Sequence, residues 1–342
     1  MKKVFLKGGS LAEVFVQGDV VVKTYSGHFQ RGYEKLRKEA RYLQSLPKNI
    51  QSNFPRVLWL EDTKTKFSYA MPYYKNLPSL RDLAFGRTKI AKIWGVLKNV
   101  LDFCDVEMYT KNKRKTPRAY LVRTHFRRVE TALDILSSMV SYSSTVSSHN
   151  IILNGEKLRN TCELLQLIKK DKNIQHLLTP EAMTLFHGNF HIANILSEGR
   201  DFMLIDPRGE ISGAKDYDIS KMFCHFYMRY DEIFEDLFTL KTINETEFQL
   251  EMKDYFLKKR YDFLQRAFIR YELSKVTNKK QWVQKILLLS GFHAISLSSY
   301  HARKKNSDKK RVLAYYLSGV KLLNDGLNGH TIKNNSSLFS YE

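Results

Sequence analysis

The sequence predicts an α+β protein of two lobes, a small β-rich N-terminal lobe with one helix and a larger, mainly helical C-terminal lobe. Three observations carry this expectation. A chain of 342 residues is long for one hydrophobic core, so two lobes or domains are expected. The first 75 residues hold short β-branched runs, Val14-Phe15-Val16 and Val20-Val21-Val22, separated by Gln17-Gly18-Asp19, which is a hairpin signal. From Leu80 onward the apolar spacing becomes mostly helical. The expected division is residues 1–75, residues 76–327 and a polar tail over 328–342.

The elements follow in order. A helix is expected from about Tyr33 to Leu46, stopped by Pro47. Leu36, Ala40, Leu43 and Leu46 recur at spacings of three and four, making one buried stripe. Phe67 to Met71 reads as a strand ending at Pro72. Ile90–Val106 and Phe126–Val140 read as helices, Ser137–Ser148 as a loop, and Leu158–Ile168 as another helix. A strand-rich insert spans Leu185–Ile205, and helices are expected from there to about Leu327.

Composition narrows the class. Hydrophobic residues make up 43%, enough for a packed globular protein. Cys104, Cys162 and Cys224 are odd in number and widely spaced, which gives no disulfide framework and fits a reducing compartment. The apolar run near Met1 is too short for a signal peptide, and no stretch approaches the roughly 20 apolar residues of a membrane span. The expected location is cytoplasmic, with peripheral contact at the inner membrane face as an option. The net charge of +21 comes from 56 basic and 35 acidic residues. Basic runs at Lys111–Lys115, Arg123 with Arg127 and Arg128, Lys258-Lys259-Arg260 and Arg303–Arg311 would attract nucleic acid, an anionic membrane or an acidic substrate. The same runs are also what solvated helix faces look like.

Chemistry concentrates between His187 and Asp206. The run His187-Gly188-Asn189-Phe190-His191-Ile192-Ala193-Asn194 is followed by two apolar runs, Ile195–Ser197 and Phe202–Ile205, around a polar turn near Arg200. An antiparallel hairpin is expected, with Asn194 and Asp206 facing each other at its open end. An amide oxygen beside a carboxylate is a hard-oxygen chelate suited to Mg²⁺, with ATP phosphates and water as the remaining ligands.

This pattern resembles the catalytic and metal-binding loops of the aminoglycoside phosphotransferase and choline kinase superfamily, which has a bilobal protein-kinase-like fold. The resemblance implies ATP and Mg²⁺ as cofactors and a hydroxyl of a small molecule as phosphoryl acceptor. It implies that Asn194 and Asp206 hold the metal, that His187 braces the loop, and that Asp218 anchors it at the start of the next helix. The run Asp206-Pro207-Arg208-Gly209, with Gly213 and Tyr217–Lys221 downstream, is similar to a subgroup linked to capsule and surface-polysaccharide phosphotransferases. One position departs. Asn189 stands where the superfamily normally has the Asp that accepts or orients the acceptor's hydroxyl proton. An amide cannot act as a general base, although its carbonyl oxygen can orient a nucleophile. General-base help is worth about 10²–10⁴ in rate. A slower enzyme and a pseudokinase-like nucleotide-binding scaffold are therefore both open. His191 and Asp216 are nearby substitutes for the base, though packing or carbonyl bonding is the commoner role for such a His.

The N-terminal lobe adds Lys23, which ends the Val20-Val21-Val22 run, and Glu39, which lies on the buried stripe between Leu36 and Leu43. A lysine at a buried strand end and a carboxylate on an apolar helix face each need a partner. A Lys23–Glu39 ion pair supplies both and would present an ammonium to the ATP phosphates. Gly8-Gly9-Ser10 offers backbone N–H groups to cover the phosphates, and backbone groups near Met71 and Tyr73 would bond the adenine. Arg208 would contact phosphate or an anionic acceptor, or else support its loop through Glu210 or Asp216. His125, Arg127 and Arg128 form a basic cluster suited to an acidic sugar, while His225 and Tyr227 read as core. The charge favours an anionic acceptor such as a sugar acid or glycan precursor over a polycationic antibiotic. A kinase acting on RNA or on a lipid-linked substrate is the remaining alternative.

Overall fold

The computed structural model describes residues 3–6, 12–26, 30–304 and 307–329. Gly8, Gly9 and Ser10 lie outside these residues, as does the tail beyond Gly329. The chain divides into two compact units. One comprises Met1–Arg114 with Ala182–Asp218, and the other comprises Lys115–Glu181 with Ile219–Glu342.

The first unit is built on a five-stranded antiparallel sheet. Strands β1 (Val4–Phe5), β2 (Glu13–Gln17), β3 (Val20–Ser26), β4 (Trp59–Asp62) and β5 (Lys66–Pro72) take the order β1-β2-β3-β5-β4. The β2–β3 register pairs Gln17 with Val20, so Gly18 and Asp19 form a two-residue turn. Alternation buries Phe15, Val22 and Ala70 together on one face. Helix α1 (Gln30–Ser45) follows β3 and buries Leu36, Ala40 and Leu43. The Ile195–Glu198 and Asp201–Leu204 strands form the expected hairpin, with Glu198 opposite Asp201. Ser197 N–H donates to Pro78 O and Leu204 N–H to Asn53 O, which fixes the hairpin against the N-terminal segment.

The second unit is mainly helical, as expected, with one sheet that the expected helical spacing does not announce. It contains a four-stranded sheet in the order Phe238–Thr242, Glu247–Met252, Asn150–Leu153, Glu156–Arg159. Leu158 therefore lies in a strand, and the helix expected from Leu158 begins only at Thr161. The cause is Asn154-Gly155, whose φ angles of 51° and 80° make a tight hairpin turn between Leu153 and Glu156. The expected Ser-rich loop contains a short helix, Ser143–Ser147. Helices Lys279–Ala302 and Lys309–Leu327 pack closely, because a Cβ on Gly291 would meet Leu323 at 2.6 Å and one on Gly319 would meet Ile295 at 2.7 Å. Among the described residues, no helix is long and apolar enough to cross a membrane.

Candidate functional site

Lys23 sits at the centre of a buried charge cluster in the first unit. Its position on β3 places it opposite Tyr69 of β5 and leaves it 5% exposed. Its Nζ donates to Glu39 Oε1 at 2.5 Å and to Asp206 Oδ1 at 2.6 Å. Tyr69 OH also donates to Glu39 Oε1, at 2.7 Å. Burial works against the Lys23 ammonium, but Asp206 and Glu39 outweigh it and hold its pKa well above the ordinary value. Glu39 is pushed up by burial, partly opposed by Lys23. Burial also pushes Asp206 up, but Lys23 and Lys35 overcome that and hold its carboxyl at about 2. At neutral pH the cluster thus presents a lysine ammonium beside an ionised Asp206.

Asp206 adopts a left-handed backbone with φ 56°, a conformation that Asp tolerates better than most residues. Its Oδ2 accepts from Asn189 Nδ2 at 2.8 Å. A carboxylate offers about four lone-pair directions, so roughly two remain for a cation. Asn194 lies just before the hairpin, and its backbone carbonyl accepts from Ile205 N–H at 3.0 Å. Its Nδ2 donates to Asn189 O at 2.8 Å and lies 3.1 Å from His191 Nε2. With the nitrogen committed in this way, Oδ1 is the atom of Asn194 offered to a cation.

The donor set is therefore one carboxylate and one amide oxygen. Among the described residues, no group of three or more His, Cys, Asp or Glu side chains is arranged to hold a metal. Two hard oxygens suit Mg²⁺, which keeps several waters and takes phosphate oxygens as ligands. They do not suit a metal that demands a full protein cage. The residues present fit Mg²⁺ carried by a nucleotide.

The loop that holds Asn189 is clamped from behind. Asp218 is fully buried, and it accepts from His187 N–H and Gly188 N–H at 2.7 Å each. Burial pushes its carboxyl up to about 7, opposed by those donors. His187 is fully buried and stacked on Phe54, and burial lowers its pKa to about 4, so it is neutral. Its Nδ1 accepts from Asn189 N–H at 3.3 Å, and its carbonyl accepts from Arg208 N–H at 2.9 Å. Tyr42 of α1 donates to Phe186 O at 2.9 Å. Gly209, with φ 96°, brings the Asp206–Gly209 loop against α1, since an added Cβ would stand 2.7 Å from the backbone nitrogen of Glu39. The helix that carries Glu39 and the loop that carries Asp206 are thereby held at backbone contact.

The structure brings together Lys23, Glu39, His187, Asn189, Asn194 and Asp206. It places other candidates elsewhere. Arg208 Nη1 donates to Tyr217 OH at 2.6 Å and its Nε lies 3.0 Å from Glu210, so it supports its loop. His191 sits against Asn194 and orients it. Tyr73 N–H donates to Asp19 O at 2.8 Å, so of the backbone groups near Tyr73 this donor is engaged within the sheet. Met71 lies opposite Val21 in the β3–β5 ladder. His125 is 2% exposed and packed among Tyr120 and Phe292, so it is a core ring and cannot meet an acidic sugar. His225 and Tyr227 are buried. Sequence reasoning missed Tyr69, Tyr42 and Gly209. Strand pairing could have found Tyr69, because it faces Lys23 across the ladder.

No family model matches this sequence, and no curated protein matches it. Solved structures do match it. A protein from Haemophilus somnus 129PT assigned as a fructosamine-3-kinase aligns over 96% of this chain and 91% of its own, at 14% identity and a TM-score of 0.50. A glucosamine kinase aligns over 94% and 74% at 13% identity and TM-score 0.44. A choline kinase from Cryptosporidium parvum Iowa II aligns over 96% and 88% at 13% identity and TM-score 0.44. The chain has a protein-kinase-like fold, with a β-rich N-terminal part and a mainly helical C-terminal part.

Proposed function

We propose that this chain transfers the γ-phosphoryl group of Mg²⁺-ATP to a hydroxyl of a small molecule, a sugar or an anionic glycan precursor. The observation that carries the reading is Lys23, a residue 5% exposed whose Nζ is held between Glu39 at 2.5 Å and Asp206 at 2.6 Å. Burying one cation between two carboxylates costs several kcal/mol of desolvation per ion. A purely structural role does not require that, whereas a phosphate site does. The fold match to a protein assigned as a fructosamine-3-kinase supports the small-molecule class.

Each residue has a definite task. Lys23, oriented by Glu39, would neutralise the nucleotide's phosphates, and Asn194 and Asp206 would hold Mg²⁺, which supplies charge stabilisation to the transferring group. Asn189 commits its side-chain N–H to Asp206, which leaves its carbonyl oxygen to accept from the incoming hydroxyl. It orients the nucleophile without taking its proton, which would leave to water or to the transferred phosphate. Phosphoryl transfer depends mainly on positioning and charge, so this arrangement supports turnover. The net charge of +21 favours an anionic acceptor, and the Asp206–Gly209 run points to a surface-glycan precursor.

A second reading, a nucleotide-binding protein that does not turn over, rests on the same Asn189. Incubation with γ-labelled ATP, Mg²⁺ and a panel of sugars separates the two. Label on an acceptor supports transfer; Mg²⁺-ATP binding with no label movement supports the scaffold.

A further inference from the structure

We propose that the outward face of the helix Tyr255–Leu273 is a docking surface for an anionic lipid bilayer. The side chains of this helix sort sharply by exposure. Only Tyr255, Phe256, Lys259, Arg266 and Arg270 are exposed, while Leu257, Tyr261, Leu264 and Phe268 are buried. At about 100° per residue, the exposed five fall within one arc of about 100°. The two aromatic rings, 64% and 50% exposed, bound the arc at the helix's N-terminal end, and the three cations lie between them around the axis.

No acidic side chain of the helix is exposed with them. Asp262 is bonded to Arg229, and Glu272 is buried with Lys275 on it. The charge of the stripe is therefore uncompensated by its own helix. The rings are already engaged by cations, with Lys259 Nζ 4.4 Å from the Tyr255 centroid and the Arg260 guanidinium 4.9 Å from that of Phe256. Two exposed rings beside a row of cations suit an interfacial helix, because the rings enter the headgroup layer while the cations meet phosphates.

The shape favours a bilayer over nucleic acid. A helix of 19 residues is about 28 Å long, and its exposed stripe runs along one face of it. Single-stranded nucleic acid is bound in grooves, with aromatic platforms spaced along the cations. Here both rings lie at one end. The net charge of +21 adds long-range attraction to an anionic surface. No residue of the stripe belongs to the Lys23–Asp206 site.

The test is sedimentation of the full chain with vesicles of phosphatidylcholine alone or with about one third phosphatidylglycerol. Binding to the anionic vesicles only is expected, weakening steeply as salt is raised. Each basic residue near such a surface is worth about fivefold in partitioning. The triple variant Lys259→Gln, Arg266→Gln, Arg270→Gln should therefore bind about 100-fold more weakly. Tyr255→Ser with Phe256→Ser should lose about tenfold, from the apolar area no longer buried. These side chains are exposed, so circular dichroism should be unchanged. A charge-matched control, Lys113→Gln, Lys115→Gln, Arg118→Gln, should stay within about threefold of wild type, since it loses only long-range attraction. Equal binding to neutral vesicles overturns the proposal, and so does wild-type affinity in the triple variant. So does tighter binding to a single-stranded RNA that the triple variant loses and that vesicles fail to displace.

Discussion

Replacing Lys23 with Met removes the one cation that Glu39 and Asp206 share. Glu39 is 3% exposed and Asp206 has a side chain 30% exposed, so the burden falls on Glu39. Removing one partner of a buried pair typically costs 3–5 kcal/mol. Glu39 can limit that cost by taking a proton, because burial already pushes its carboxyl up. A loss of about 3 kcal/mol near pH 8 is expected, which lowers Tm by about 6–12 °C for a unit of this size. The sign of the pH dependence follows from linkage. A carboxyl with a raised folded pKa stabilises the fold most below its unfolded pKa and loses that contribution as pH rises. The penalty should therefore shrink toward pH 5. Adding Glu39→Leu to Lys23→Met removes the stranded carboxylate and should restore most of the stability. Thermal melts at pH 5 and pH 8 on wild type and both variants read all three effects. A shift under 2 °C at both pH values, or no rescue by the double variant, would refute the reasoning.

Three further outcomes follow from the geometry. Asn189→Asp would set a second carboxylate 2.8 Å from Asp206 Oδ2, a repulsion of about 6 kcal/mol at an effective dielectric near 20 before relaxation; melting should fall by several degrees in chelator and recover with Mg²⁺ more than wild type does. Gly209→Ala should cost about 2–4 kcal/mol from its left-handed φ and its approach to α1, whereas Gly199→Ala, with φ 69° but open space around it, should cost only about 1 kcal/mol. His187 has a folded pKa near 4, below the unfolded value, so the stability it supports above pH 6.5 should be lost as pH falls toward 4; urea titrations should show this slope flattened by His187→Asn, by about 2–3 kcal/mol over that range.

The parts of the site that depend on local pattern were readable before any coordinates. Val20-Val21-Val22 before Lys23, and Glu39 between Leu36 and Leu43, are local anomalies that demand a partner, and they meet at 2.5 Å. The hairpin from Ile195 to Leu204 was legible because two apolar runs flank a polar turn. The four-stranded sheet of the second unit was missed although its signals were present. Asn154-Gly155 is a strong hairpin dipeptide. Phe238, Leu240, Phe248 and Leu250 alternate with polar neighbours at the strand period. The long helices that follow in the chain carry a stronger helical period than these short strands carry alternation. Other features have no local trace. Gly209 is needed because of α1, more than 160 residues earlier in the chain. His125 looks like a member of a basic cluster until Phe292 and His293 close over it. Tyr73 spends its N–H on Asp19 only because β3 and β5 are paired in that register.

Phosphoryl transfer to a small-molecule hydroxyl is tested most directly by following the γ-phosphate itself. Wild type and Asp206→Ala are incubated with γ-labelled ATP and Mg²⁺ across neutral sugars, sugar acids and glycan precursors. Label should appear on a hydroxylated acceptor with wild type, most readily on an anionic one, and fall at least 100-fold with Asp206→Ala. Equal transfer by both proteins, or tight Mg²⁺-ATP binding by wild type with no label on any acceptor, would contradict the account.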